Sequence, residues 1–150
     1  MSTNIPGSRA WRRLLLALWV GGLTTIDLVE TPTRFATKEV ERNQIIAIGR
    51  RVFAALNRME VVLGALMLPF LIRKDGQATR MKVLPMWATA LWQFAVLQPR
   101  MRRAGEGLDY AGSDRSDPRH GQHRRLHLAY VALDGLKLVL GVWAILTDGE

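Results

Sequence analysis

Four apolar stretches, separated by basic polar ones, decide most of what this chain can become. They cover about residues 11–29, 52–72, 81–98 and 126–146. An α-helix needs about 20 residues to cross about 30 Å of hydrocarbon at about 1.5 Å per residue, and each stretch approaches that. The uncharged runs, at 14–26, 61–72, 83–99 and 138–147, are short for spans, and such runs also occur in buried helices of soluble bundles. Three features favour the bilayer. In LLLALWVGGL and VVLGALMLPFLI the apolar residues surround the helix instead of forming one stripe. Trp11, Trp87 and Trp143 stand near predicted helix ends, where indole prefers the headgroup zone. Lys and Arg flank nearly every stretch. The expected architecture is an all-α, four-helix transmembrane bundle forming a single domain over residues 1–150.

A hydrophobic share of 49% and a charged share of 23% would suit a soluble protein, so the average conceals segregation. The net charge of +8 fits either nucleic acid or anionic lipid headgroups. The basic loops carry no interleaved aromatics, which argues for lipid and against nucleic acid. The absence of cysteine excludes disulfides, thiolate metal sites and Cys nucleophiles. The first stretch begins like a signal peptide, with Arg12 and Arg13, but no small-x-small site follows. It is expected to remain as a helix that Pro32 stops. The first loop, TKEVERNQIIAIGRRVF, has partly helical spacing with Thr37 as a candidate cap, and is expected either to extend the second helix beyond the membrane or to lie on its surface. The third loop, AGEGLDYAGSDRSDPRHGQH, reads as flexible coil.

An even number of spans puts both termini on one side. The first and third loops carry 12 Lys and Arg, against 7 for the N-terminal stretch and the second loop. The positive-inside rule then makes the first and third loops cytoplasmic and places the termini outside, although the arginines before the first span pull the other way.

Within the stretch LHLAYVALDGLKLVLGVWAIL, Asp134 and Lys137 fall near the helix centre. Glu60 lies at similar depth in the second span, Arg58 is a step nearer the first loop, and Asp27 is on the same side in the first span. Gln93 and Gln98 occupy the matching half of the third. A charge facing lipid there costs at least about 2.5–3.5 kcal/mol, so these groups should turn inward and pair. Asp134 and Lys137 share a face at i,i+3; Asn57, Glu60 and Gly64 share another. Arg58 stands about 200° round from Glu60 and needs a carboxylate from another helix, Asp27 or Glu30. A network of Asp27, Arg58, Glu60, Asp134 and Lys137 is predicted. It would either fix helix register or mark a path for protons, ions or a ligand.

His123 and His127 are spaced i,i+4, compatible with a ligand or metal site, but no Cys, Asp or Glu shares that turn. His120 and His123 are assigned to the polar third loop. No glycine-rich phosphate loop or nucleophile triad is present, so the sequence leans away from an enzyme and specifies no cofactor. Gly21, Gly22 and Gly64 suit close helix approach.

The phrases LWVGG, TPTRFA, GRRVF, LQPRM and RRLHLAYVAL…GLKLVLG occur in this order. Together they resemble the bacterial four-span domain of unknown function 4149, related to transmembrane protein 205-like proteins. The resemblance implies a small integral membrane protein of four helices. By position it singles out Trp19, Gly21, Pro32, Phe35, Gly49, Phe53, Gln98, Pro99 and His127, and it brings no reaction. Asp134 and Lys137 depart from the small or uncharged residues usual in the fourth span of similar proteins. A W-x-x-G-L…P-x-R-F outline also resembles four-span haem-binding protoporphyrinogen oxidases, which depend on a histidine in the first span; here none precedes His120. The expected role is a structural or accessory subunit of a membrane complex, with lipid, other membrane subunits or a second copy as partners. The alternative is a proton, ion or small-ligand carrier, or a haem-linked redox protein, using the five buried charges.

Overall fold

The computed structural model describes residues 8–72, 76–112 and 116–148. The first rod comprises α1 (Ser8–Thr24), a π-helical turn at Thr25–Glu30 and α2 (Thr31–Ala36). The second is α3 (Arg42–Leu71). The third comprises α4 (Gln77–Trp92), a π-helical turn at Gln93–Leu97 and α5 (Gln98–Gly105), and the fourth is α6 (Arg119–Thr147). Consecutive rods run antiparallel. Around the bundle α1 packs on α3, α3 on α4, α4 on α6 and α6 back on α1, while the backbones of the diagonal pairs stay farther apart.

Each rod buries one narrow seam at three- and four-residue spacing, the pattern of coiled-coil packing. In α1 the seam is Arg12, Leu16, Trp19 and Leu23; in α3 it is Leu56, Glu60, Leu63, Met67 and Leu71. In α6 it is Tyr130, Asp134, Lys137, Gly141 and Ala144. Outside the seams, Leu14, Leu18, Val62, Leu66, Leu136, Val139 and Val142 face outward. At mid-height the bundle therefore carries charge inside and hydrocarbon outside, the reverse of a water-soluble protein. Three helical stretches, Ser8–Ala36, Arg42–Leu71 and Arg119–Thr147, are long and apolar enough to cross a membrane. The third rod adds the uncharged run 83–99. This is an integral membrane protein built as a four-helix bundle.

Several local expectations need correction. Pro32 does not stop the first helix. The Thr31 N–H bonds the Ile26 carbonyl five residues back, and α2 continues to Ala36. The Gln98 N–H bonds the Gln93 carbonyl in the same way just before Pro99. The widened turn moves preceding carbonyls out of the proline ring's path and sets the proline at the head of a new α-segment, where its missing N–H is not needed. Thr37 is not an N-cap; it closes α2, its hydroxyl donating to the Thr33 carbonyl at 3.1 Å. The third loop is shorter than expected, because α6 begins at Arg119 and takes in His120 and His123. Trp87 does not sit at a headgroup boundary: its indole N–H donates to the Val61 carbonyl at 3.0 Å, and its ring occupies the space above Gly64.

At the end bearing both termini, Asp148 gathers three rods. Its carboxylate accepts from Arg12 Nε at 3.0 Å and Thr79 Oγ1 at 2.6 Å, while its carbonyl accepts from Arg13 at 2.7 Å. Lys82 donates to Thr147 and lies 4.6 Å from the Trp143 ring centroid.

Candidate functional site

Halfway along the bundle the four seams converge on Lys137. Its ammonium donates to Glu60 Oε1 at 2.5 Å and pairs with Asp134 Oδ1 at 2.9 Å. Glu60 also accepts from the Trp19 indole at 2.9 Å and from the Asn57 amide at 3.1 Å. The Asn57 amide reaches on to the Ala90 carbonyl at 3.1 Å. Gln93, turned inward by the π-helical segment, donates to Asp134 Oδ1 at 2.9 Å and to the Tyr130 carbonyl at 3.3 Å. Glu60 and Lys137 have no side-chain exposure, and every rod contributes to the cluster. Two carboxylates and one ammonium, ringed by neutral donors, bind four helices at one level.

Of the five charges expected to meet, Glu60, Asp134 and Lys137 do so. Asp27, on the other π-helical turn, is half-buried and feels the charges of all three. Arg58 stands apart. It is exposed and forms no ion pair among the described residues, and Glu30 pairs instead with Arg34 at 3.4 Å. The angular offset of Arg58 from Glu60 carries the guanidinium off the seam. Trp19, Asn57 and Gln93 complete the cluster, and an indole within an apolar run gives little sign that it will serve as a donor.

Toward the first and third loops the rods spread around a cavity of about 1000 Å³. Arg34 from α2, Arg42, Arg50 and Arg58 from α3, Arg102 from α5, and Arg124 and Arg125 from α6 line it, together with His120, His123 and His127. None of its described lining side chains is a carboxylate. Between the cations the walls are apolar: Phe35, Ile45, Phe53, Phe94, Pro99 and Leu128. Its floor is Tyr130 and Gln98, the Gln98 amide donating to the Phe53 carbonyl at 3.1 Å and lying 3.4 Å from the Tyr130 hydroxyl. His123 and His127 thus belong to a cationic wall, and among the described residues no third His, Cys, Asp or Glu joins them as a metal-binding group.

The third loop is pinned over the cavity. Asn43 donates to Asp109 at 2.8 Å and accepts from the Tyr110 N–H at 2.8 Å. That amide, with backbone N–H groups of Ala111 and Gly112, holds the Asp109 carboxyl below the usual carboxylate range. The Tyr110 ring meets His120 and His123 at centroid distances of 5.5 and 5.4 Å. Arg50 donates to the Gly105 carbonyl at 2.7 Å.

The chain matches the family model described as Domain of unknown function (DUF4149) over residues 14–107. It belongs to the DUF4149 family. No curated protein and no solved structure matches it. The DUF4149 match takes in Trp19, Glu60 and the α3 and α5 walls of the cavity, and ends before α6, which supplies Asp134, Lys137 and His127. Within the DUF4149 region, the glycine at 49 has a plain use. A side chain there would occupy the space of the Arg34 guanidinium, which lies across α3 with Nη1 3.4 Å from the Ile45 carbonyl. Phe53 meets Tyr130 edge to face at 5.6 Å, and Gln98 bonds the Phe53 carbonyl, so these residues brace the cavity floor.

Proposed function

We propose that this DUF4149 protein is a non-enzymatic accessory component of the bacterial cytoplasmic membrane that holds a small anion-bearing ligand in its arginine-lined cavity. One observation carries this reading above the others. Arg58 lies within the apolar part of α3, lines the cavity and has no carboxylate partner among the described residues. An unpaired guanidinium at membrane depth costs at least about 2.5 kcal/mol, which an anion in the cavity would offset. The neighbouring arginines act in the same sense. The Glu60–Lys137–Asp134 cluster takes a different part here. Its ammonium ties two carboxylates from different rods beneath the cavity floor, which supports a structural role in fixing helix register.

The reading is tested by thermal unfolding of the purified protein in a non-ionic detergent, with inorganic pyrophosphate or decyl phosphate added. A ligand at about 100 times its Kd stabilises by about 2.7 kcal/mol, a rise of several degrees in midpoint. The R58Q/R124Q variant should lose that rise, and its unliganded midpoint should not fall. No shift with either anion overturns the proposal. A haem absorption band in the purified protein would replace it with the redox reading.

A further inference from the structure

Besides its mouth by the third loop, the cavity has a lateral side bounded by exposed apolar residues. At the termini end α1 and α6 pack closely, but toward the loops α2 packs on α3 and makes no comparable contact with α6. A slot is therefore left between the first and fourth rods at cavity level. Phe35 on α2 and Leu128 on α6 line the cavity on either side of the slot and stay 48% and 57% exposed. Phe94, on the third rod, also lines the cavity and is exposed. Hydrocarbon thus continues from the outer surface of the bundle into the cavity.

The cations are staged in depth. Arg50 stands near the third loop, and Arg58 lies eight residues farther along α3, about 12 Å deeper at 1.5 Å per residue. Phe53 and Ala54 line the cavity between them. A soluble anion meets Arg50 and the histidines at the mouth. Arg58 suits a phosphate that belongs to a molecule already in the membrane, with its chains in the slot.

From this geometry we infer that the ligand is a phosphate-bearing lipid, its headgroup among the cavity arginines and its acyl chains leaving sideways between α2 and α6. The inference rests on the anion-binding reading above and specifies which anion. Phosphate oxygens accept from several guanidinium groups at once, and the chains cover Phe35 and Leu128.

Native mass spectrometry of the full chain released from mild detergent tests it. The probes are phosphatidic acid, phosphatidylcholine with the same chains, and inorganic pyrophosphate as competitor. Phosphatidic acid should be retained about tenfold or more over phosphatidylcholine, a difference of about 1.4 kcal/mol. R58Q should reduce that retention about tenfold, R58K less, and L128W, which fills the slot, should also reduce it. Equal retention of the two lipids, or full retention by a monodisperse R58Q protein, overturns the inference. Displacement of phosphatidic acid by an equal concentration of pyrophosphate also overturns it, yet leaves the anion-binding reading standing. Failure of every anion to bind removes both.

Discussion

Lys137 is the residue on which the centre of the bundle turns, because its ammonium is the one cation between two buried carboxylates. Replacing it by Met leaves Glu60 and Asp134 without a counter-charge in a site closed to water, a change expected to cost about 3–5 kcal/mol. Glu60→Gln keeps an acceptor for only one of Trp19 and Asn57 but leaves Lys137 paired with Asp134 alone, and should cost less. A double-mutant cycle of the two, read from denaturant unfolding in detergent, should give a coupling above about 1 kcal/mol. Additive effects would mean that the contact does not carry the register. The Asp134–Lys137 pair was legible from its i,i+3 spacing, and Glu60 from its depth in the second span. Arg58 departs from the expected network for a physical reason. Its angle around α3 already set it off the seam, but the requirement for a protein carboxylate assumed that nothing else could answer the charge. A cavity walled by four separate rods leaves no mark in any one of them.

At the scale of elements, the two π-helical turns do the same work in the first and third rods. Each sits immediately before a proline, each adds one residue to a helical turn, and they bear Asp27 and Gln93 respectively. Propensity foresaw a break at Pro32, because hydrogen-bond loss is a local rule. The repair depends on five-residue bonding that local rules do not contain. Excising Thr33, which faces outward, would keep the turn before Pro32 but rotate Arg34 and Phe35 by about 100° relative to α1. The core should survive, since Leu16, Trp19 and Leu23 lie before the excision. Arg34 should leave Gly49, and phosphate-dependent stabilisation should fall. Retention of that stabilisation would show that α2 does not form the cavity wall. A second prediction concerns α3 and α4, where the Trp87 ring fills the space over Gly64. Gly64→Ala should displace the indole from the Val61 carbonyl and cost about 1–3 kcal/mol, seen as a lower midpoint and blue-shifted tryptophan emission only if the ring moves toward lipid.

For the molecule as a whole, the deciding property is the inversion of polarity at mid-height, and it was visible early as apolar residues on all sides of charge-bearing helices. Which way the bundle points follows from different physics. The cavity end bears 12 of the loop cations and the termini end 7. The cytoplasmic leaflet carries the negative surface potential that attracts such an end, and it offers acidic lipids to the slot between α2 and α6. Arg12 and Arg13 before the first span oppose this, but both are engaged with Asp148. The chain has no cysteine, so single replacements report sidedness without background. Ala111→Cys, in the third loop over the cavity, should react with a membrane-impermeant maleimide only after lysis. Ile72→Cys, exposed at the other end of α3, should react in intact spheroplasts. The opposite pattern would put the arginine cavity against the outer leaflet, so its lipid would have to come from that leaflet; the bundle, the charge cluster and the slot would stand unchanged.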